Sequence, residues 1–393
     1  MIIASRLSAI ADEIAIVGIG ETDYAADYAR FRDGVRTDPY ALAAEAFFRA
    51  LRDSGLDRSE IDGLAVGQTT ALERTGEVLG LDVGWAGQGD IVNVLMQAAL
   101  AIHSGLAETV ALVYGNNQRS AATQYGGPNA MGGERFFAYV YYKPWGLTSQ
   151  GALYAMTASS YMAATGFSPE DLGRIVTGQR AFAAKNPNAI MRQPMTLEEY
   201  LSSRFVCEPL RLPDYCLVND GGVALILTTR DRAKRLGRPF VLISAFGRHD
   251  LNCDATSLKP RFLDYYHQGH EIVARNTYEM AGHGPEEVDA IYAYDSFSIH
   301  LPIVVEGFGF CAPGEASALV RSGAIGPGGR WPLNSSGGML SESYMQGWNH
   351  QVEAVRQLRG HAGARQIEGV KRAQYLSDVA GKVASIVYRR AEL

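Results

Sequence analysis

Cysteine is scarce in this chain. The four that occur, Cys207, Cys216, Cys253 and Cys311, form no CxxC pair. That excludes a zinc ribbon and a disulfide framework, and it suits a reducing compartment. His249, His267, His270 and His300 are scattered without the spacing of a metal site, so each reads as a surface or core histidine and no metal is expected. Long apolar runs are missing too. The opening MIIASRLSAIADE carries none, and no segment is long enough to span a bilayer, so a cytoplasmic protein is expected. Positive charge is in deficit. A net charge of −6 with no basic stripe argues against nucleic-acid binding. The stretch GIGETD has Asp23 where a dinucleotide-binding fingerprint needs its last glycine, and the helix after it begins too late. No cofactor is expected on that ground.

Glycine, by contrast, is plentiful. With 43 among 393 residues, many tight turns and close backbone approaches follow. The chain also repeats itself. Ala15–Asp23 reads AIVGIGETD and Leu242–Asp250 reads LISAFGRHD; Gly55–Gly67 reads GLDRSEIDGLAVG and Gly282–Tyr294 reads GHGPEEVDAIYAY. Both pairs lie the same distance apart. Gly20 thus matches Gly247, Asp23 matches Asp250, Glu60 matches Glu287, and Asp62 matches Asp289. A shared offset at two separate places points to a duplicated unit and to two similar halves related by a pseudo-twofold axis. The length suits two fused halves. Tyr294 then ends a duplicated strand, beside their junction.

Local patterns agree. Ile14–Val17 reads as a buried strand, and Asp38-Pro39 as a helix start stopped by Gly55. Leu64–Val66 is a strand, Asn93–Gly105 a helix apolar nearly all round, and Val110–Tyr114 another strand. This alternation predicts a layered α/β fold with central helices between sheets. Residues from about 116 to 215 break the pattern with the aromatic, glycine-rich GGPNAMGGERFFAYVYYKPWG, then helical stretches at Gln150–Thr165 and near Pro169–Lys185. This reads as a long excursion from the first half that covers the site. Asn219–Thr229 returns to a strand. The halves are expected at 1–234 and 235–393.

VGIGET at Val17–Thr22, AALAIHSGLAETVALVYG at Ala98–Gly115, NDGGVALILTT at Asn219–Thr229 and NSSGGMLSESY at Asn334–Tyr344 together resemble the thiolase superfamily, over nearly the whole chain and in the right order. Within it the chain resembles the sterol-carrier-type, thiolase-like lipid-transfer proteins of actinobacterial steroid catabolism, some of which are aldolases that cleave steroid side chains. The resemblance implies a duplicated five-layer αβαβα architecture with two mixed, five-stranded sheets.

The departures from the thiolase pattern are chemical. Thiolases pass an acyl group through a cysteine before the first central helix. Here that position falls at or near Gln88, in WAGQGDIVNV. The segment like NxNGGAIALGHP ends its match on Tyr344 in place of histidine. The NEAF or HDCF element becomes Tyr294-Asp295-Ser296-Phe297, and the C-terminal cysteine is absent from YLSDVAGKVASIVY. Two catalytic positions have thus become tyrosine, which still donates and accepts protons.

Without a thiol, a retro-aldol cleavage remains possible, since it needs one base, one acid and an oxyanion site but no acyl-enzyme. Tyr294 and Tyr344 are the expected proton carriers, with a slight lean to Tyr294 as base. Backbone N–H groups near Gly337 and Gly338, with Gln88 and the first central helix, are the expected enolate site. An unperturbed phenol has a pKa of about 10, so a base tyrosine needs assistance. The resemblance implies a β-hydroxy steroid side-chain acyl-CoA as substrate, cleaved to a ring ketone and propionyl-CoA. It also implies a homodimer joined through a sheet edge, and a small OB-fold partner, often with a zinc ribbon. A non-catalytic acyl-CoA or lipid-binding scaffold subunit is the alternative; a thiolase with a relocated nucleophile is a third reading.

Overall fold

The computed structural model describes residues 8–123, 143–145, 149–250, 268–379 and 382–392. Most of the aromatic stretch before Gln150, with His267 and Cys253, lies outside the described residues.

Nine strands form one mixed sheet: β1 (Ile14–Glu21), β2 (Gly63–Val66), β3 (Trp85–Gln88), β4 (Thr109–Asn117), β7 (Asp220–Thr229), β8 (Val241–Asp250), β9 (Ala290–Ala293), β10 (Arg372–Val379) and β11 (Lys382–Arg390), in the order β3-β2-β4-β7-β1-β8-β11-β10-β9. A separate hairpin joins β5 (Phe205–Cys207) to β6 (Leu210–Arg211). The large sheet is symmetric about β1 and β8. Outward from either strand come two antiparallel pairings and then a parallel one, through β7, β4 and β2 on one side and β11, β10 and β9 on the other. Two sheets of five strands each were expected. Instead the halves contribute five and four strands, fused edge to edge where Ala15 pairs with Leu242 and Ile16 with Val241. The second half has no counterpart to β3 among the described residues.

The helices that frame the sheet are α1 (Pro39–Ser54), α2 (Ile91–His103), α3 (Gln150–Thr165), α4 (Pro169–Ala183), α5 (Gln268–Ala281), α6 (His300–Gly307), the single turn α7 (Gly338–Ser341) and α8 (Trp348–Leu358). Asp38 caps α1 by accepting from the N–H of Tyr40 and Ala41, Pro39 opens it, and Gly55 ends it in the left-handed conformation. The inner strands of the sheet are buried on both faces, while the end strand β3 is partly exposed, and the inner side chains alternate between two cores. On β4, Val110, Leu112 and Tyr114 face a central core while Ala111 and Val113 face an outer one. On β9, Ala290 and Tyr292 face the same central core while Ile291 and Ala293 face the other outer one. Helices α2 and α8 lie in the centre, each touching strands of both halves, while α1 and α5 cover the outer faces. Outer helices, one half of the sheet, central helices, the other half of the sheet and outer helices give the five layers.

Two of the matched pairs do matched work, while Asp23 caps a helix and Asp250 ends β8 paired with Arg248. Gly20 lets α1 approach β1, since a Cβ there would collide with Ala46 O; Gly247 lets α5 approach β8 beside Thr277 and Val273. The Asp62 carboxylate accepts the N–H groups of Glu108 and Thr109, which open β4. Asp289 accepts those of Lys371 and Arg372, which open β10. These are equivalent places in the two halves.

Candidate active site

Tyr294 directly follows β9. Its N–H donates to Leu376 O at 2.9 Å, so the backbone stays on the sheet ladder while the ring enters the central core. Tyr344 projects from the loop between α7 and α8. Both its backbone groups are held from the first half: its N–H donates to Asn219 Oδ1 at 2.8 Å, and its carbonyl accepts from Asn116 Nδ2 at 3.2 Å. The two hydroxyls meet at 3.2 Å. The structure therefore brings together the two tyrosines that the sequence singled out, although they lie on different elements.

Asp295 ties their segments to one another. Its carboxylate accepts from the Met339 N–H at 3.0 Å, from Gln179 Nε2 of α4 at 3.1 Å and from His350 Nε2 of α8 at 2.9 Å. Asn334 docks the NSSGG turn on the end of β9, accepting from the Ala293 N–H at 2.8 Å and donating to Ala293 O at 3.0 Å. Gly338 adopts φ +63° so close to Asp295 that a Cβ would collide with the carboxylate. The expected oxyanion donors fare unequally. The Gly337 N–H is committed to Asn334 O at 2.8 Å, and that of Gly338 makes a long 3.4 Å bond to Ser336 Oγ. Gln88 lies exposed on the end strand β3, and its amide donates to Thr70 O at 2.9 Å.

Burial sets the chemistry of the pair. It lifts the Tyr294 phenol well above its ordinary range, and the neighbouring Tyr344 adds to this. Burial also pushes Tyr344 up to about 12; the hydrogen bonds to Tyr294 and Gln346 act against the rise. Both are therefore neutral phenols at rest. Cys216 packs against the same central core as the pair, which its place in the sequence did not reveal. Its own thiol is pushed far up by burial, and it stays uncharged. His300 lies edge-on to the Tyr294 ring at 6.0 Å and contacts Ser296 Oγ at 3.2 Å. Burial lowers it to about 4, so it too is neutral. Tyr154 stacks on Phe297 at 4.5 Å, and Tyr215 meets the same ring edge-on at 5.0 Å, extending an aromatic wall from His300. No group of three histidine, cysteine or acidic side chains is poised to hold a metal among the described residues. No helix among them is long and apolar enough to cross a membrane.

A duplicated five-layer αβαβα fold, with two tyrosine hydroxyls in contact where its halves meet, defines a thiolase-fold protein. Comparison with known proteins narrows this. The family described as Thiolase C-terminal domain-like matches residues 260–387. The chain is 33% identical over 371 residues to the "Steroid side-chain-cleaving aldolase" of Thermomonospora curvata, covering 90% of this chain and 92% of that one. It is also 33% identical over 371 residues to the "17-hydroxy-3-oxo-4-pregnene-20-carboxyl-CoA lyase" of Mycobacterium tuberculosis, covering 89% and 92%. The solved structure of an "Ltp2-ChsH2(DUF35) aldolase" superposes with a TM-score of 0.85 at 29% identity, covering 97% of this chain and 98% of that one. The chain belongs to the steroid side-chain-cleaving aldolase family of the thiolase superfamily.

Sequence reasoning reads Asp295 as orienting its loop, in agreement with these contacts, but misses Asn116, Asn219, His350 and Glu342. The only signal was polar residues inside otherwise apolar motifs, such as Glu342 within GGMLSESY.

Proposed function

We propose that the chain is a carbon–carbon lyase that cleaves a β-hydroxy steroid side-chain acyl-CoA to a ring ketone and propionyl-CoA by a retro-aldol reaction. The observation that carries this reading is the 3.2 Å contact between the Tyr294 and Tyr344 hydroxyls, at positions where thiolases place other proton carriers. Membership of the family supports the substrate class. The relay balances without a free phenolate. Tyr294 takes the proton of the substrate hydroxyl as the carbon–carbon bond breaks and passes its own to Tyr344; Tyr344 delivers its proton to the enolate carbon. Each phenol ends neutral, so their raised pKa values are no obstacle. The Gly338 N–H, held only by its long bond to Ser336, is the donor of the glycine pair free to turn to the enolate oxygen. Gly337 would have to give up its bond to Asn334 O to serve, and Gln88 would have to turn away from Thr70. The electron pair of the broken carbon–carbon bond becomes the enolate and one proton passes from the hydroxyl to carbon, so the reaction is redox-neutral; the only coenzyme it needs is the CoA that the substrate carries.

For partners, the reading takes a homodimer through the edge of β3, which has no further strand beside it among the described residues, with a small OB-fold protein of the DUF35 type. The related solved aldolase is named together with a DUF35 component, which supports the second of these. The test is incubation with a panel of β-hydroxyacyl-CoA thioesters, steroid and simple, with mass-spectrometric detection of ketone and short acyl-CoA. Equal release of both from the steroid thioester is expected. Binding of the thioester without any cleavage would favour the scaffold subunit instead.

A further inference from the structure

Glu342 is fully buried two residues before Tyr344, where the thiolase pattern NxNGGAIALGHP has an apolar residue. A buried carboxyl is costly unless it does something an apolar side chain cannot. Three donors converge on this one. Asn186 Nδ2 reaches Oε1 at 2.8 Å, Ser336 Oγ reaches Oε2 at 2.7 Å, and Asn349 Nδ2 reaches Oε2 at 2.8 Å. Their positions give the contacts meaning. Glu342 closes α7, and Asn349 stands in the first turn of α8, so their bond joins the two ends of the loop that carries Tyr344. The same Asn349 amide also reaches Ser343 O at 3.2 Å, inside that loop. The loop contains two residues in the left-handed region, Gln346 at φ +50° and Gly347 at φ +83°, so its path is tight and not helical. Ser336 belongs to the NSSGG turn docked beside Tyr294, and Asn186 follows α4. One carboxyl thus fastens the Tyr344 loop at its base, to the turn beside Tyr294 and to the excursion from the first half.

We propose that Glu342 is a positioning residue for the reaction: it staples the Tyr344 loop so that the two tyrosine hydroxyls stay within hydrogen-bond reach. This rests on the reading of Tyr344 as a proton carrier. The fold itself does not need the carboxyl, because its donors keep other partners. Asn186 Nδ2 also donates to Ser336 O at 3.0 Å, Asn349 keeps Ser343 O, and Ser336 Oγ still accepts from Gly338. Replacing a buried ionisable group by a hydrophobic one of similar size is often neutral or stabilising.

The experiment compares Glu342→Leu, Glu342→Gln and Tyr344→Phe in the full-length protein with its partner, reading kcat, KM and melting temperature on a cleavable steroid acyl-CoA. Glu342→Leu is expected to melt no lower than wild type and to keep KM, while kcat falls at least ~10-fold through the misplaced proton carrier. Glu342→Gln keeps an amide oxygen for Asn349 and Ser336 and should recover most of that loss. A wild-type kcat in Glu342→Leu, with Tyr344→Phe slow, overturns the staple but leaves Tyr344 as a proton carrier. Parallel loss of kcat and melting temperature in Glu342→Leu makes the residue structural and overturns the proposal, as does a Gln variant as slow as Leu. A Tyr344→Phe enzyme at the wild-type rate overturns both readings together.

Discussion

Tyr294 and Tyr344 differ from Tyr24, Tyr200 and Tyr388 in what their hydroxyls meet. Tyr24 donates to Glu21, Tyr200 to Asp214 and Tyr388 to Gln351, each satisfying an acceptor fixed elsewhere in the fold. The catalytic candidates meet each other. Deleting one hydroxyl leaves the ring to pack, so Tyr294→Phe and Tyr344→Phe should each lower turnover ~10²–10⁴-fold, the usual cost of losing a general acid or base. Thermal melts and acyl-CoA binding should stay at wild-type values. Wild-type rates in both variants would return the pair to a packing role. Cys216 gives the complementary prediction. It is the cysteine best placed to act as a relocated nucleophile, yet burial holds it as a neutral thiol. Changing Cys207, Cys216, Cys253 and Cys311 together to serine should preserve turnover; a folded but inactive quadruple variant would revive covalent catalysis. Glu342 also titrates in a readable window. Burial and then the charges of Glu21 and Glu353 raise it to about 8, while Asn349 and Ser336 act the other way. Arg356, Arg365, Tyr24 and Tyr292 also face it; Arg356 pairs with both Glu21 and Glu353, and Arg365 with Glu353. Because the folded pKa lies above the unfolded one, the carboxyl's contribution to stability is fully present below the unfolded value and is lost as pH rises through about 8. The melting temperature of Glu342→Leu minus that of wild type should therefore grow between pH 5 and pH 9. A difference that does not change with pH would mean that the carboxyl does not titrate there.

At the scale of elements, the sequence was legible wherever a local rule decides the structure. Asp38-Pro39 and Gly55 delimit α1 as capping chemistry requires, and the apolar runs at Ile14 and Val110 became strands buried on both faces. The tyrosine positions were legible as well, because a motif fixed them along the chain. Most of what holds them was not. Asp295 gathers donors from α4, α7 and α8, and Asn219 reaches the Tyr344 backbone from the strand-return segment of the first half. Such contacts depend on tertiary approach and leave no period or spacing in the sequence. The same gap explains Gly337 and Gly338. Their spacing suggested two free donors, whereas the turn they form consumes the first. Gly338→Ala puts both claims about this turn to the test. It forces a left-handed φ on a residue with a Cβ and drives that Cβ into Asp295. The expected result is a lower melting temperature together with loss of turnover; an active, equally stable variant would show that Asp295 does not order the turn.

At the scale of the molecule, duplication explains most of the fold, and the exceptions mark where the halves have diverged. Gly20 with Gly247 and Asp62 with Asp289 still serve matched strands and helices, yet among the described residues β3 has no partner strand in the second half and leaves a sheet edge free. Edges of that kind are sites of association. The chain is expected to run as a dimer by light scattering, and charged substitutions at Ala86 and Gln88 should yield monomers. A monomer before substitution would move the interface elsewhere. The central claim concerns the reaction itself, and free CoA discriminates most directly. A thiolase consumes CoA to cleave, whereas the tyrosine relay takes its CoA from the substrate alone. The decisive measurement is therefore cleavage of a β-hydroxy steroid side-chain acyl-CoA by the chain with an OB-fold partner present and free CoA removed. Equal amounts of ring ketone and propionyl-CoA are predicted, at a rate that added CoA does not increase. Cleavage that starts only when CoA is supplied, or an acyl group recovered on the protein, would contradict it.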